Sequence, residues 1–446
     1  IVIDAGSSGS RVHVYSWRAP ETQRALLTAA EWTRLPVMSI TTMTTGLSTF
    51  ADRSQSVHEH LTPLTDFAKG IIPADAWART QVYLLATAGM RLVPAPQQAQ
   101  VLEAACRHFR DSSPFSVASC DKQIRVISGE MEGVYGWVTV NYLLGGFEKA
   151  LPSSSIEFEE QLWPDAMLSA PRPAAKQDGG RGRTLGFSDM GGASTQLVFE
   201  PSTQVADEHR HDMTEVRLRR LDGSVARHDV FVATFLGFGT NQARQRHLAR
   251  LQAQSNGGAL VDHCLPTGAH EQLAGGVRAT GGGSFARCRE HTLPLLNKTA
   301  VCPEEPCLFN GVHTPEIDYA VHRFVGVSDW WYAMHDILGL GGDYDAHTFE
   351  QAAHRYCQLD WEQLVAEHRA GRFPPGVDEE RLRVQCFKAA WLANILHEGF
   401  GLPRTDATLS AGARAHFQSL DNANGIPFSW TLGAAMMHAV SPVEIG

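Results

Sequence analysis

The sequence predicts an α/β protein made of two similar lobes. Short apolar runs of strand character alternate with longer helical patterns, which is the order of elements in α/β folds. A short motif also occurs twice, first as Asp4-Ala5-Gly6-Ser7-Ser8-Gly9-Ser10 and then as Asp189-Met190-Gly191-Gly192-Ala193-Ser194-Thr195. An offset of 185 positions is too long for a solenoid repeat, so we expect one hairpin in each of two lobes.

The individual elements follow this pattern. In the first part we expect, by position, strands at 1–3, 12–15, 81–86 and 124–127, and helices at 54–69, 96–110 and 133–144. Proline and glycine then predict a surface insertion at 152–184. The expected order beyond it is a second strand pair at 186–199, a polar hairpin at 217–228, a helix at 241–254, a cysteine-rich region at 262–310, helices from 328 to 396 and an apolar segment at 428–437.

The composition excludes several classes of protein. Hydrophobic residues make up 43% of the 446 residues, so the chain can bury a core and is not disordered. The net charge of −10 argues against nucleic acid as a partner, because a phosphate backbone is bound by a basic face. The longest apolar stretch, 134–147, is shorter than the roughly 18–20 residues that cross a bilayer. We therefore expect membrane attachment only through segments absent from this chain.

The histidines and cysteines do not show the spacing of a zinc site. Among the 20 histidines and eight cysteines there is no His-x-x-x-His and no Cys-x-x-Cys pattern. We accordingly expect no transition-metal site.

The residue types of the repeated motif suit a bound phosphate. Glycines let backbone N–H groups approach phosphate oxygens closely, and Ser and Thr hydroxyls add donors. An aspartate repels phosphate, but it holds Mg²⁺ or Ca²⁺, and the ion then bridges to the phosphates. One such loop is equally well an ordinary hairpin turn. Two matched loops favour a phosphate site in which Asp4 and Asp189 hold the cation through bound water molecules.

Five segments spread over residues 4–433 carry a resemblance to a known family. In chain order they are Asp4-Ala5-Gly6-Ser7-Ser8-Gly9-Ser10-Arg11, Ala86-Thr87-Ala88-Gly89-Met90-Arg91, Ser128-Gly129-Glu130-Met131-Glu132-Gly133, Asp189-Met190-Gly191-Gly192-Ala193-Ser194-Thr195-Gln196 and Ser429-Trp430-Thr431-Leu432-Gly433. In these segments the sequence resembles the apyrases, the nucleoside triphosphate diphosphohydrolases. Residues 341–346, 385–391 and 396–400 are similar to the Golgi and lysosomal branch of that family.

The resemblance implies a fold, a division of the chain and an activity. The fold is that of actin, Hsp70 and sugar kinases, in which two ribonuclease-H-like lobes enclose an active-site cleft. The N-terminal lobe would comprise 1–127 and about 423–446, and the C-terminal lobe 128–422. The implied activity is hydrolysis of the terminal phosphate of nucleoside tri- or diphosphates with Mg²⁺ or Ca²⁺ as cofactor. No prediction follows for tri- versus diphosphate preference, nucleobase or oligomeric state.

The resemblance also implies roles for single residues. Glu130 is the expected base for the attacking water, with Glu132 as its competitor in the same turn, and Thr87 is expected to position the water. The expected phosphate contacts are Ser7, Ser8, Gly9, Ser10, Arg11, Gly191, Gly192, Ala193, Ser194 and Gln196. For Arg11, a salt bridge that frames its loop is an equal alternative.

Three aromatic residues are assigned in the same way. Tyr332 and Phe400 are expected to stack on the nucleobase and Trp430 to line the phosphate site, and for each the alternative is an ordinary core aromatic. Plasma-membrane apyrases carry an arginine where this chain has Glu398, and a glutamate does not stack on a base.

The eight cysteines avoid all five segments and fall into four sequential pairs. The resemblance implies bridges for three pairs, and the first pair rests on proximity alone: Cys264–Cys288, Cys302–Cys307, Cys357–Cys386 and, first in the chain, Cys106–Cys120. Disulfides indicate an oxidising compartment, and Asn297-Lys298-Thr299 is a glycosylation sequon. We therefore expect the lumen of the secretory pathway, Golgi- or lysosome-like, or the cell exterior, with a membrane anchor as an option for a longer protein.

Other functions stay open from the sequence. An exopolyphosphatase or a small-molecule kinase of the same fold would share the Asp-x-Gly loops. A binding protein without activity is disfavoured, because both aspartates and Glu130 are present.

Overall fold

The computed structural model describes residues 1–6, 9–17, 20–25, 38–45, 52–147, 184–254, 260–273, 276–404 and 416–440. Ser7, Ser8 and all but the last residue of the predicted insertion lie outside these ranges. Within them the chain is α/β, as predicted, and no helix there is long and apolar enough to cross a membrane.

The first part of the chain forms a five-stranded sheet with helices. Its strands are β1 (Val2–Ala5), β2 (Ser10–Trp17), β3 (Met38–Thr45), β4 (Tyr83–Ala86) and β5 (Ile124–Val126), in the spatial order β3-β2-β1-β4-β5. Its helices are α1 (Pro20–Ala25), α2 (Val57–Ile71), α3 (Ala88–Arg91), α4 (Ala95–Asp111), α5 (Cys120–Gln123) and α6 (Gly129–Leu143). Because side chains alternate along a strand, Val12 and Val14 pack with α2 and α4 on one face, and Tyr15 faces the other side.

The second part forms a seven-stranded sheet. Its elements are β6 (Gly186–Met190), β7 (Ser194–Phe199), α7 (Thr203–Glu208), β8 (Met213–Arg219), β9 (Val225–Leu236), α8 (Thr240–Gln254), β10 (Leu260–Asp262), β11 (His270–Gln272), β12 (Arg278–Gly281), α9 (Phe285–Thr292), β13 (Phe324–Ser328), α10 (Asp329–Trp331), β14 (Gly342–Asp343), α11 (Ala346–Cys357), α12 (Trp361–Arg369), α13 (Glu379–Ala393), β15 (Phe417–Ser419), β16 (Asn422–Ala423), β17 (Ile426–Pro427) and α14 (Trp430–Val440). The spatial order is β14-β15-β13-β6-β7-β9-β8, and β10-β12-β11 and β16-β17 form two small further sheets.

The two large sheets repeat one arrangement of three strands. β1 pairs antiparallel with β2 and parallel with β4, and β6 pairs antiparallel with β7 and parallel with β13. The duplication expected from the motif therefore extends to the strand order around it. The lobe boundaries themselves stay a prediction.

Helices α6 and α14 join the two sheets. α6 packs on β6, β7 and β9, while α14 packs on α6 and contacts β1 and β2. The approach of α14 is close, since a Cβ on Gly433 would lie 1.9 Å from the carbonyl oxygen of Tyr135. A hydrogen bond of 2.7 Å between the hydroxyls of Tyr15 and Thr431 ties β2 to α14. Residues from both sheets thus meet on this helix pair.

The start of α6 differs from the sequence-based expectation. The helix begins at Gly129 and not at 133, because the Ser128 side chain accepts a hydrogen bond from the Met131 N–H and caps it. This places Glu130 and Glu132 in the first helical turn.

All four predicted disulfides are confirmed, and the described cysteines include none that is free.

Candidate active site

The two Asp-x-Gly segments are closed by equivalent backbone hydrogen bonds. The Gly6 N–H donates to the Gly9 carbonyl at 2.9 Å, and the Gly191 N–H donates to the Ser194 carbonyl at 3.0 Å. Each turn thus spans the same number of residues after its aspartate. The strand register agrees as well, because Asp4 lies opposite Arg11, and Asp189 lies opposite Gln196.

The second turn has its carbonyl groups bonded to the segment after β9, whereas two of its amide groups have no protein acceptor among the described residues. The carbonyls of Gly191, Gly192 and Ala193 accept hydrogen bonds of 2.8 to 3.0 Å from backbone N–H groups in the segment 237–242. Within the described chain, the N–H groups of Gly192 and Ala193 donate to no protein acceptor. Gly239 makes this contact possible, since a Cβ there would lie 2.4 Å from the Ala193 nitrogen. A loop binds an anion through free backbone N–H groups, and its carbonyl groups must be bonded elsewhere so that they do not repel the anion.

The glycine of the first turn lies beside both Asp4 and Thr87. A Cβ added to Gly6 would lie 3.6 Å from Asp4 Oδ1 and 4.0 Å from Thr87 Oγ1. Thr87 is buried directly after β4, and its N–H donates to the Ala5 carbonyl at 3.2 Å. The structure therefore brings Thr87 and Asp4 to the same glycine.

Asp4 and Asp189 are both buried and electrostatically linked. Burial raises the pKa of Asp4 to about 7, with Arg11 acting to lower that pKa and the Asp189 carboxylate to raise it. Burial likewise raises the pKa of Asp189 to about 7, and the Glu132 carboxylate acts in the same direction. One oxygen of each aspartate, Oδ1 in both, is buried without a hydrogen-bond partner. Two such oxygens fit a hard divalent cation, which takes oxygen ligands.

The two glutamates of the third segment have different environments. Glu130 is exposed, and its carboxylate accepts a hydrogen bond from Thr214 of β8. Glu132 is buried, and its carboxylate acts on the pKa of Asp189. Residues two apart on a helix point in nearly opposite directions, so only one of the pair can face Asp189. The structure favours Glu132 over Glu130 as the carboxylate of the site.

Glu132 forms a hydrogen-bonded network with residues of two other segments, the second and the fourth. Its Oε2 accepts hydrogen bonds from Arg91 at 2.8 Å and from Gln196 at 3.4 Å. Both donors also contact the Ser194 hydroxyl, at 3.2 Å and 2.8 Å. Oε1 of Glu132 accepts no hydrogen bond from the described residues. Burial raises the pKa of Glu132 to about 7, against the lowering effect of Arg91.

The contacts of three other residues of the predicted site can be compared with their expected roles. Arg11 forms an ion pair of 3.5 Å with Asp4, which agrees with its framing alternative. The Ser10 hydroxyl is buried 3.3 Å from His60 of α2, so its side chain does not fit the expected phosphate contact. The reason is strand alternation, which places Ser10 and Arg11 on opposite faces of β2. Trp430 is buried and stacks on Tyr135, which agrees with its core alternative.

Of the two aromatic residues assigned to the nucleobase, only Tyr332 lies near the charged groups of the site. It is half-buried, the Arg381 guanidinium lies 5.4 Å from its ring centroid, and Arg11 and Asp189 both act on its pKa, which burial raises. Phe400 is 4% exposed and its ring contacts Phe309 and other core aromatics. It therefore offers no exposed face, and its assignment to the nucleobase does not fit this structure.

Sequence reasoning missed Asp329. It follows β13 as Thr87 follows β4, so it occupies the corresponding position of the second sheet. Its carboxylate is paired with Lys388 at 2.8 Å, accepts from Thr240 and acts on the pKa of Asp189. Extending the repeat from the two hairpins to the third strand of each sheet would have found it.

Comparison with known proteins shows the family to which the chain belongs. The Golgi apyrase of Saccharomyces cerevisiae is 37% identical, with 100% of this chain and 71% of that protein aligned. The nucleoside-diphosphatase mig-23 of Caenorhabditis elegans is 34% identical over 98% of this chain and 76% of its own length. A crystal structure of nucleoside triphosphate hydrolases from Neospora caninum shares the fold at a TM-score of 0.57 and 15% identity, over 98% and 91% of the two chains. The model of the GDA1/CD39 (nucleoside phosphatase) family matches residues 1–443, and the chain belongs to that family.

Proposed function

We propose that this chain hydrolyses the terminal phosphate of nucleoside di- and triphosphates between its two Asp-x-Gly turns. The observation that carries the proposal is the matched pair of turns with a buried, unpartnered carboxylate oxygen on each aspartate. The free N–H groups of Gly192 and Ala193 supply positive charge locally, as an acidic protein that binds a polyanion must do. The relatives named as an apyrase and a nucleoside-diphosphatase support the substrate class.

A divalent cation, Mg²⁺ or Ca²⁺, would be held by Asp4 and Asp189. Both aspartates offer the oxygen ligands that these ions prefer. When bound, the cation neutralises charge on the phosphates and orients them. It would also satisfy the two orphaned Oδ1 atoms.

Glu132 is the proposed base. A water at its free Oε1 would lose a proton to the carboxylate as its oxygen attacks the terminal phosphorus and the bond to the bridging oxygen breaks. Arg91, Gln196 and Ser194 hold the carboxylate in one orientation. A pKa of about 7 suits a base that works near neutral pH. Thr87, beside Gly6, is placed to orient the substrate or the water.

The compartment that fits best is the lumen of the secretory pathway or the cell exterior. Four disulfides need an oxidising environment. The relatives named Golgi apyrase, from two yeasts, support the Golgi in particular.

A phosphate-release panel tests the proposed function. We expect release from ATP, ADP, GTP, GDP, UTP, UDP and CTP with Mg²⁺ or Ca²⁺, and none from AMP, which places only one charged group between the turns. EDTA should abolish release, and added cation should restore it. Release from polyphosphate alone would favour an exopolyphosphatase. Consumption of ATP that requires an acceptor would favour a kinase.

The variant Tyr332→Ala tests the proposed stacking contact with the nucleobase. Stacking of a base on an aromatic ring is worth about 1–3 kcal/mol, so we expect KM for nucleotide to rise about tenfold with a smaller change in kcat. The matched control is Phe400→Leu, which lies in the core and should lower the melting temperature without changing KM. Equal KM values for wild type and Tyr332→Ala would contradict the assignment.

A further inference from the structure

A second group of metal-ligating side chains lies away from Asp4 and Asp189. Its members come from two chain segments and are His209, Asp212, Glu304 and His313. The first two lie at the end of α7 and in the short turn that leads into β8. Glu304 lies in the loop closed by the disulfide Cys302–Cys307, and His313 lies farther along the chain, after Val312. We propose that this cluster binds one Zn²⁺ ion.

The distances within the cluster are close to those of a tetrahedral site. One ligand atom from each of the four residues lies within 4.8 Å of all the others. His209 Nδ1 is 3.8 Å from a Glu304 carboxylate oxygen, and His313 Nε2 is 3.7 Å from Asp212 Oδ2. Ligand atoms on a tetrahedral zinc at about 2.0–2.1 Å lie about 3.3 Å from one another. These two pairs would have to contract by about 0.5 Å, and no pair in the cluster by more than about 1.5 Å, to close a tetrahedral site.

Three of the four ligand atoms have no hydrogen-bond partner. They are buried, and they are His209 Nδ1, Asp212 Oδ2 and His313 Nε2. Buried polar atoms are normally satisfied, so three orphans that converge on one point indicate a missing ligand. One cation at their centre would satisfy all three.

The tautomer of His313 favours a metal. Its Nδ1 lies 2.8 Å from the backbone carbonyl of Glu304, and a carbonyl can only accept, so Nδ1 carries the proton. In the neutral ring this leaves the lone pair on Nε2, the atom that points into the cluster. Metal-bound histidines usually donate their second nitrogen in this manner.

The charge balance points the same way. Asp212 and Glu304 bring two negative charges together, and in the described part of the chain neither forms an ion pair with lysine or arginine. His211 Nε2 lies 3.1 Å from Asp212 Oδ2 and 3.5 Å from Glu304 Oε2, but the His211 side chain is 65% exposed. A dication would neutralise the pair. The mixture of two imidazoles and two carboxylates suits zinc, whereas carboxylates alone, as at Asp4 and Asp189, suit Mg²⁺ or Ca²⁺.

The protein holds the ligands in place without the metal. The disulfide closes the loop of Glu304, an isolated strand bridge joins Cys307 to His313, and the Thr314 N–H donates to the Pro306 carbonyl at 3.0 Å. A bound ion would connect this loop to Asp212, which lies just before β8. Asp212 is two residues before Thr214, whose side chain donates a hydrogen bond to Glu130. The site would therefore stabilise the fold next to α6.

Zinc titration of the untagged chain tests the proposal. After removal of metals by a chelator, Zn²⁺ is titrated against a chromogenic competitor in excess Mg²⁺, which occupies the aspartate site. We expect one tight equivalent of zinc and a higher melting temperature with it. His313→Ala and Glu304→Gln should each lose that equivalent, and His270→Ala, on an exposed histidine of β11, should keep it.

Glu304→Gln keeps the experiment decisive if His313→Ala fails to fold, because the Glu304 side chain is 47% exposed and its change leaves the core intact. The same zinc stoichiometry in wild type, Glu304→Gln and His270→Ala would overturn the proposal. So would the absence of a tight equivalent in the wild-type chain.

Discussion

Glu132→Gln is expected to lower turnover by about 10²–10⁴-fold while nucleotide still binds, because a positioned general base contributes a factor of this size. Glutamine keeps the shape and can still accept from Arg91, but it cannot take a proton from water. The measurements are kcat from phosphate release and nucleotide affinity by calorimetry in the presence of the cation. An affinity within a few-fold of wild type, with the large loss in kcat, is the expected pair of results.

Glu130→Gln is the matched control, since it makes the same change two residues away. The Glu130 side chain is exposed and contacts Thr214, so we expect this variant to retain turnover within a few-fold of wild type. The reverse outcome, with Glu130→Gln inactive and Glu132→Gln active, would restore the sequence-based assignment and remove the one proposed here.

The difference between the base expected from the sequence, Glu130, and the base proposed here, Glu132, has a definite physical cause. From the sequence, α6 was expected to start at 133, so Glu130 and Glu132 shared one irregular turn and could not be distinguished by direction. The Ser128 cap extends the helix back to Gly129, and the helical spacing then separates the two carboxylates. Caps and element ends decide such questions, and they are the least certain part of a reading of sequence periodicity.

What the sequence did predict depended on the repeat. Two copies of Asp-x-Gly were enough to anticipate two sheets with equivalent hairpins, and the registers of Asp4 with Arg11 and of Asp189 with Gln196 confirm that equivalence. The repeat did not predict the direction in which each side chain of the loops points, as the buried Ser10 hydroxyl shows. Strand alternation could have assigned Ser10 and Arg11 to opposite faces, but only once the strand was known to begin at Ser10.

Contacts between distant segments were also beyond the sequence. Zinc spacings were sought within short stretches, whereas His209 and His313 are brought together only by the fold. Phe400 was assigned from its place in a segment, and its burial depends on aromatic residues from three other parts of the chain, Phe235, Phe309 and Trp330. Sequence patterns predict local structure well because local structure depends on residues that are close in the sequence. They do not predict contacts between residues that are far apart in the sequence.

Asp189→Asn is expected to have opposite effects on activity and on the stability of the metal-free protein. Loss of a ligand to the cation should lower turnover by about a hundredfold or more, since the charge stabilisation that a metal supplies is worth several kcal/mol. The buried Asp189 has a pKa of about 7 in the folded protein, against 3.8 for an ordinary aspartate. A raised pKa favours the folded state at low pH, and this contribution is lost as the pH rises from about 4 through about 7.

The sign of the stability effect therefore depends on pH and on the cation. In EDTA, Asp189→Asn should melt slightly higher than wild type at pH 5, where only about one unit of the pKa difference has been lost, and several degrees higher at pH 8. The reason is that asparagine carries no buried charge. Each unit of pKa difference corresponds to about 1.4 kcal/mol. Added Ca²⁺ should stabilise wild type strongly at pH 8, little at pH 5, and the variant at neither pH. Melting curves at the two pH values, with and without Ca²⁺, measure this. A variant that is less stable than wild type in EDTA at pH 8 would show that burial does not destabilise the ionised Asp189. A variant that still responds to Ca²⁺ as wild type does would show that Asp189 does not hold the cation.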